Sequence, residues 1–308
     1  MVDPFLAFST FALGLCFGSF LNVCIYRMPL GLSVTTPRSA CPQCKTMIPF
    51  YDNIPVVSWL LLRGRCRNCK TAISARYILV ELLTATMFLV CYVYFGFNFS
   101  LLKYATFSFL LIGLIFTDAE TKLLPDKLTL TGLGLGLAFS VLVPVNDLAA
   151  QVLPNFLSLP LSFDLGWRVF SLIDAALGAI VGASFIYGAG AIYLRARGIE
   201  GMGFGDVKLM AMIGAFLGVR LTVLTIFAAS IAGSIFGVGT VLAVWMKRTR
   251  RLMARSQMTA VAARKRAWQS AQLVYRNYEM PFGVFLGGMA LVALFFGNPF
   301  LTWYWRLL

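Results

Sequence analysis

The sequence contains no histidine and few charged residues, and both features narrow what the protein can do. Without an imidazole, the chain has neither a histidine-ligated zinc protease motif nor a serine–histidine pair. Any acid–base chemistry must therefore come from carboxylates, lysine, tyrosine or cysteine. Only 12% of the residues are charged, against about 25% in an ordinary soluble domain. This composition argues against a water-soluble enzyme.

Apolar residues make up 59% of the 308-residue chain and gather into long runs. A helix of about 20 apolar residues crosses the ~30 Å hydrocarbon layer of a bilayer. The predicted spans are Phe5–Tyr26, Tyr77–Phe97, Leu101–Thr117, Leu128–Val145, Val169–Leu194, Leu209–Val219, Leu221–Met246 and Pro281–Trp305. The sixth covers roughly 16 Å as a helix, so we expect it to be tilted, to be broken or to begin inside the membrane. The sequence predicts an all-α polytopic membrane protein with about eight transmembrane helices.

The net charge of +14 is concentrated in two loops. Residues 27–76 hold eight Lys or Arg and one acid, and residues 247–278 hold nine Lys or Arg and no acid. Because basic loops stay on the cytoplasmic side of a membrane, both loops should be cytoplasmic and both termini periplasmic. Such charge indicates contact with anionic membrane lipids and not with nucleic acid. Segment 247–280 is predicted to be a basic cytoplasmic helix, serving either as a lipid-surface element or as a partner-binding arm.

Four cysteines form two C-x-x-C pairs, Cys41 with Cys44 and Cys66 with Cys69. Two such turns can present four thiolates as a tetrahedron, which is the structural zinc pattern. Disulfides or free thiols are the alternative, and a reducing cytoplasm disfavours disulfides. Four protein ligands leave no open position, so the prediction is a structural zinc in a small cytoplasmic domain between the first and second spans.

Two acids, Asp118 and Asp206, are predicted to lie at the cytoplasmic edge of the membrane. Asp118 ends an apolar run, and Asp206 follows a Gly-x-Gly sequence just before the short sixth span. An acid beside a membrane span is costly unless it has a function. Two carboxyls that share a proton can activate water and polarise a carbonyl, which permits peptide hydrolysis without histidine. Glu120 and Asp126 are alternative members of the pair.

The motifs together resemble the type IV prepilin leader peptidase/N-methyltransferase family, a branch of the GxGD membrane aspartyl proteases. The similar segments are residues 18–29 (GSFLNVCIYRMP), the two C-x-x-C pairs, 55–59, 64–69, 73–81, 118 with 124–126, 203–208 and 280–283. The segment 247–280 is longer than in the family pattern. The similarity therefore covers most of the chain.

The resemblance implies a multi-pass enzyme of the bacterial inner membrane. Such an enzyme cleaves the short basic leader of type IV prepilins or type II secretion pseudopilins at the cytoplasmic face. It then methylates the new N-terminal amine with S-adenosylmethionine as methyl donor. By match to the family motifs, Asp118 and Asp206 would be the catalytic pair, and the four cysteines would hold zinc.

Four other residues are candidates for binding the methyl donor: Gly18, Asn22, Arg27 and Glu81. Helix packing and anchoring at the membrane interface are an equally open explanation for them. The predicted organisation is a first span at 1–26, a zinc-binding, methyltransferase-associated domain at 27–76 and a protease core at 77–308. The expected partners are pilin substrates and membrane lipids. Two other functions stay open: a transporter or scaffold with a structural zinc domain, and a methyltransferase whose protease half has decayed.

Overall fold

The computed structural model describes residues 2–145, 147, 163–198, 203–255, 259–276 and 280–307. Nearly all of this part of the chain outside the zinc-binding segment is helical, and its only β-structure is two isolated bridges. The helices are α1 (Pro4–Arg27), α2 (Val57–Leu61), α3 (Arg76–Phe95), α4 (Phe99–Thr121), α5 (Asp126–Ser140), α6 (Phe163–Arg197), α7 (Phe204–Arg255), α8 (Ala260–Arg276) and α9 (Phe282–Trp305). The predicted all-α polytopic class is confirmed.

Six of the described helices are long and apolar enough to cross a membrane: α1, α3, α4, α6, α7 and α9. Helix α5 has 15 residues, or roughly 22 Å. It ends at Ser140, whereas the predicted fourth span continues to Val145. Each of the eight predicted segments corresponds to a helix or to part of α7. That all eight cross the bilayer stays a prediction.

Helix α7 reverses direction at Gly218, whose φ of 77° interrupts the helix. A Cβ atom on Gly182 of α6 would lie 2.7 Å from the Met210 carbonyl oxygen and 3.0 Å from a Thr222 methyl group. In a straight helix, residues 210 and 222 would be about 18 Å apart. Helix α7 therefore consists of two antiparallel arms, a first arm at 204–217 and a second arm at 219–255, as the predicted sixth and seventh spans require.

The second arm of α7 is capped at its start by a loop carboxylate. The backbone N–H of Arg220 donates a 2.8 Å hydrogen bond to Oδ2 of Asp147. A carboxylate at this position satisfies an otherwise unpaired helix N–H and interacts favourably with the positive end of the helix dipole. A Cβ atom at Gly218 would lie 2.7 Å from the same oxygen. The reversal therefore needs both a glycine and an acid.

The core lies where α4, both arms of α7 and α9 meet. Phe107 of α4 stacks on Phe216 of the first α7 arm, with ring centroids 4.7 Å apart. Leu111 of α4, Met212 of α7 and Leu286 of α9 are fully buried in the same cluster. This packing brings the end of α4 and the beginnings of α7 and α9 to one end of the bundle.

The segment between α1 and α3 is built on two similar turns. The N–H of Cys41 donates to the carbonyl of Thr46 at 3.0 Å, and that of Cys66 donates to the carbonyl of Thr71 at 2.9 Å. Between the turns lie a short 3-10 helix, Phe50–Asn53, and α2. The sequence predicted the cysteine turns but not these two short helices.

The basic segment 247–280 contains the end of α7 and the helix α8, which packs back against it. Buried alanines on α8 at every fourth position, Ala263, Ala267 and Ala271, permit this close packing. Trp245 of α7 meets Trp268 of α8 edge-on, with centroids 6.1 Å apart. The segment predicted to be a single basic helix is thus divided between the two arms of an antiparallel hairpin.

Candidate active site and metal centre

Asp118 lies in the last turn of α4 and is 5% exposed. Its Oδ2 atom accepts a 3.0 Å hydrogen bond from the backbone N–H of Val284 in the first turn of α9. Gly283 makes this approach possible, because a Cβ atom there would lie 2.9 Å from the same oxygen. The carboxyl group thus sits at the positively polarised N-terminus of a helix, which favours negative charge.

Asp206 lies in the first turn of α7 and is partly buried. Its N–H donates a 3.0 Å hydrogen bond to the carbonyl of Gly203, which holds the glycine turn against the start of the helix. The Asp206 carboxyl group lies close enough to that of Asp118 for two negative charges there to repel each other. The structure therefore brings together the two acids that the sequence analysis selected, from helix ends 88 positions apart.

Leu124 forms an apolar wall beside this pair. A Cβ atom on Gly205 would lie 3.0 Å from Cβ of Leu124, and one on Gly283 would lie 3.3 Å from its Cδ1. Two carboxyl groups in such a low-dielectric setting share a proton more readily than both ionise. The arrangement can supply one carboxylate as a base and one carboxylic acid as a proton donor.

The alternative acids are each paired with a basic residue. Glu120 forms an ion pair with Arg76 at the start of α3, and Asp126 Oδ1 lies 2.6 Å from Lys208 Nζ. These contacts join α3 to α4 and α5 to α7, on either side of the acid pair. Their geometry favours a structural role over a place in the pair.

The four cysteines Cys41, Cys44, Cys66 and Cys69 fit a tetrahedral zinc site. Their sulfur atoms all lie within 4.8 Å of one another, and Cys41 Sγ is 3.7 Å from Cys69 Sγ. A Zn–S distance of about 2.3 Å implies S···S edges of about 3.8 Å in a tetrahedron, whereas a disulfide bond is about 2.05 Å long. Hydrogen bonds from Thr46 lower the pKa of Cys44 to about 6, which favours the thiolate that binds metal.

Three of the four candidates for methyl-donor binding lie in contacts between α1, α3 and the zinc-binding segment. A Cβ atom on Gly18 would lie 2.6 Å from Cα of Glu81, so this glycine permits close helix packing. Asn22 Nδ2 donates to the Tyr77 carbonyl at 2.9 Å. Glu81 Oε2 accepts a 2.7 Å hydrogen bond from the N–H of Val56, whose φ of 62° is strained for a β-branched residue.

The fourth candidate, Arg27, has a different setting. It donates from Nη1 to the Ser33 carbonyl at 3.0 Å and from Nη2 to the Pro37 carbonyl at 2.8 Å. It also lines a cleft of about 260 Å³ between α1 and the first cysteine turn. The sequence analysis missed the rest of this cleft, because no spacing motif marks its residues.

The chain matches two family models. One is described as the bacterial peptidase A24 N-terminal domain and matches residues 12–95. The other is described as the type IV leader peptidase family and matches residues 104–238. No solved structure matches the chain.

Curated relatives carry the name prepilin leader peptidase/N-methyltransferase. The chain is 38% identical to one from Myxococcus xanthus, over 78% of this chain and 64% of that protein. It is 32% identical to one from Aeromonas salmonicida, over 98% of this chain and 94% of that protein. It is 36% identical to one from Neisseria gonorrhoeae, over 76% of this chain and 82% of that protein. The chain belongs to the type IV leader peptidase family.

Proposed function

We propose that this protein is an aspartic endopeptidase and N-methyltransferase of the bacterial inner membrane. Its substrates are type IV prepilins or type II secretion pseudopilins, whose leaders it removes at the cytoplasmic face. The observation that supports the protease most directly is the placement of Asp118 and of Gly205, which precedes Asp206, beside the same residue, Leu124, at one end of the bundle. The names of the relatives support the same activity and the methylation step.

In the proposed cleavage step, the ionised carboxyl group of the pair takes a proton from a water molecule that attacks the scissile carbonyl carbon. The protonated carboxyl group donates its proton to the carbonyl oxygen, which gives a gem-diol. As the C–N bond breaks, the first carboxyl group passes the proton it took from water to the leaving amine, and the second takes a proton back from the gem-diol, so that the pair returns to its starting state. Oδ2 of Asp118 accepts a hydrogen bond from the backbone N–H of Val284.

The proposed orientation places the acid pair at the cytoplasmic surface. Both basic segments, 27–76 and 247–278, lie on that side, and both termini lie in the periplasm. A pilin whose apolar helix stays in the bilayer then presents its leader junction at the level of Asp118 and Asp206. Anionic lipids of the inner leaflet surround the basic hairpin of α7 and α8.

In the proposed methylation step, the zinc-binding domain supports the reaction without joining it chemically. The four cysteines would hold zinc and tie the two turns together. Glu81, Asn22 and Gly18 would position this domain on α1 and α3, and Arg27 would lie beside the methyl donor. S-adenosylmethionine, when bound, supplies a methyl group on a positively charged sulfur atom. The chain itself aligns the new amine with that group.

The test uses the purified full-length protein, a prepilin substrate and mass spectrometry of the substrate N-terminus. Wild-type protein should remove the leader and add one methyl group. Asp118→Asn and Asp206→Asn should each lower the cleavage rate by at least about 100-fold, while Asp126→Asn serves as the matched control. Both acid variants should still methylate a substrate that has already been cut.

The outcomes separate the two activities. Cleavage at the wild-type rate by both Asn variants would remove the acid pair from the mechanism. Methylation of cut substrate without any cleavage by wild-type protein would identify a methyltransferase with an inactive protease half. Neither activity in wild-type protein would favour a transporter or scaffold.

A further inference from the structure

The cleft beside Arg27 has a defined architecture. Arg27 lies on its α1 side, the loop 34–39 forms one wall, and the 3-10 helix Phe50–Asn53 contributes to the other. Its volume of about 260 Å³ is close to the small end of the range for small-molecule sites, about 300 Å³. The cleft is separate from the acid pair, and the proposed cleavage step does not use it.

The walls of the cleft are held in place by α1 and by the first cysteine turn. Arg27 fixes the loop by donating to the carbonyls of Ser33 and Pro37. On the other side, the N–H of Ile48 donates a 2.8 Å hydrogen bond to the Ser39 carbonyl, next to the cysteine turn. A metal at the four cysteines would therefore also hold the shape of the cleft.

Two side chains of the cleft can recognise a ligand that carries both a carboxylate and an aromatic ring. Arg38 is exposed and forms no ion pair with any residue that the structure describes. Phe50 is 77% exposed and contacts Tyr51 edge-on, with centroids 5.4 Å apart, which leaves a ring face open. A free guanidinium binds a carboxylate, and an open aromatic face stacks on a flat base.

The cleft also lies at the end of the bundle where a new amine would be released. Val34 of its wall packs on the apolar cluster that includes Ile112 of α4, and Phe116 packs on the same cluster. Phe116 precedes Asp118 by two residues. The ion pair of Arg76 with Glu120 joins the start of α3 to the same end of α4.

We propose that this cleft binds S-adenosylmethionine, with Arg38 pairing with its carboxylate and Phe50 stacking on its adenine. The inference rests on the proposed methyltransferase activity and deepens it by naming the donor site. Thr35, Ser39 and Asn53 line the same cleft and provide hydrogen-bonding groups for a ribose. The cleft thus offers groups for the carboxylate, the adenine and the ribose of the molecule.

The experiment measures binding of S-adenosylmethionine itself by calorimetry, with full-length, zinc-loaded protein in detergent. Arg38→Ala and Phe50→Ala should each weaken binding by about tenfold or more. Arg38→Lys keeps the charge but not the bidentate geometry, and should weaken it less than Arg38→Ala. The controls are Arg63→Ala, a basic residue outside the cleft, and Leu61→Ala, whose side chain is 78% exposed. Zinc content verifies that each variant is folded.

Four results separate the inference about the cleft from the proposed methyltransferase activity. Weaker binding by both cleft variants, with both controls at wild-type affinity, supports the inference. Binding within twofold of wild type by Arg38→Ala and Phe50→Ala overturns the cleft and leaves the methyltransferase proposal intact. Absence of binding by wild-type protein overturns both. If phosphatidylglycerol displaces the donor with equal affinity, the cleft is an anion site for lipid headgroups, and the inference is wrong.

Discussion

Oδ2 of Asp118 accepts a 3.0 Å hydrogen bond from the backbone N–H of Val284. Helix α9 thus takes part in the candidate active site through its backbone. This contact fixes one oxygen of the carboxyl group. The chain needs an unobstructed backbone at this point, and Gly283 provides it.

Replacing Gly283 by alanine should therefore damage cleavage specifically. A Cβ atom there would lie 2.9 Å from Oδ2 of Asp118, so the carboxyl group or the start of α9 must shift. Because a small misplacement of a reacting group costs up to about 100-fold in rate, we expect Gly283→Ala to lower the prepilin cleavage rate by about 10- to 100-fold. A Cβ atom on Gly288 would meet nothing within 4 Å, so Gly288→Ala is the matched control. Equal rates for the two variants would show that the close approach does not matter.

The turn at Gly218 should be a stability determinant. An alanine there must adopt a φ near 77°, and its Cβ would lie 2.7 Å from Asp147 Oδ2. Strain of this kind costs about 1–3 kcal/mol, so Gly218→Ala should lower the Tm measured by circular dichroism in detergent. Gly239→Ala on the second arm, where a Cβ meets nothing within 4 Å, should leave the Tm close to wild type. An unchanged Tm for Gly218→Ala would contradict the geometry of the reversal.

Zinc should be needed for methylation and much less for cleavage. We expect one zinc per chain by elemental analysis, and Cys41→Ser should lose the metal together with methylation of cut substrate. The acid pair lies on α4 and α7, outside the zinc-binding segment, so prepilin cleavage should stay within about threefold of wild type. Cys16→Ser, an exposed cysteine outside the cluster, is the control and should keep its zinc. Loss of both cleavage and methylation in Cys41→Ser would contradict this prediction, because it would show that the protease core depends on the zinc-binding segment.

The ion pair between Asp52 and Arg67 should stabilise the zinc-binding segment at neutral pH. Arg67 donates to both carboxylate oxygens, at 2.7 and 2.6 Å, and this hydrogen bonding lowers the pKa of Asp52 below its ordinary value. A lowered pKa in the folded state means that the stabilisation is present above about pH 4 and is lost only as the pH falls further. Asp52→Asn should therefore lower the Tm by the same amount at pH 7.5 and at pH 5.5.

A double variant completes that test. Arg67→Ala should reproduce the effect of Asp52→Asn, and combining the two should add little, because each removes the same contact. A Tm difference that shrinks already between pH 7.5 and pH 5.5 would refute the assignment. Additive losses would show that the two side chains act independently.

The acid pair was predictable because each member is anomalous in its local sequence. Asp118 ends an apolar run, and Asp206 opens one, so the cost of placing an acid near lipid identified both without knowledge of their contacts. Gly283 carries no comparable local signal. Its importance depends on a helix end that lies 165 positions away in the chain, and only the folded structure joins them.

The positions of the long helices were also predictable from the sequence. Apolar run length identified the long apolar helices and both arms of α7, but not α2, the 3-10 helix or the basic helix α8. The boundary predicted between the sixth and seventh spans lies within two residues of the break at Gly218. The apolar pattern could not show that Asp147 caps the second arm of α7, because that contact joins a loop residue to a helix 73 positions away in the chain. The cleft beside Arg27 lay beyond the sequence analysis for the same reason, since its walls come from separate turns.

Because α7 reverses at Gly218, the length of its first arm sets the position of Asp206 relative to the turn. The turn is anchored by Asp147, and eleven residues lie between Gly218 and Asp206. Adding or removing one of them would shift that carboxyl group by about 1.5 Å along the helix axis and swing it by about 100° around it. The chain can vary its side chains along this arm, but the number of residues in it is set by the distance between two anchored ends.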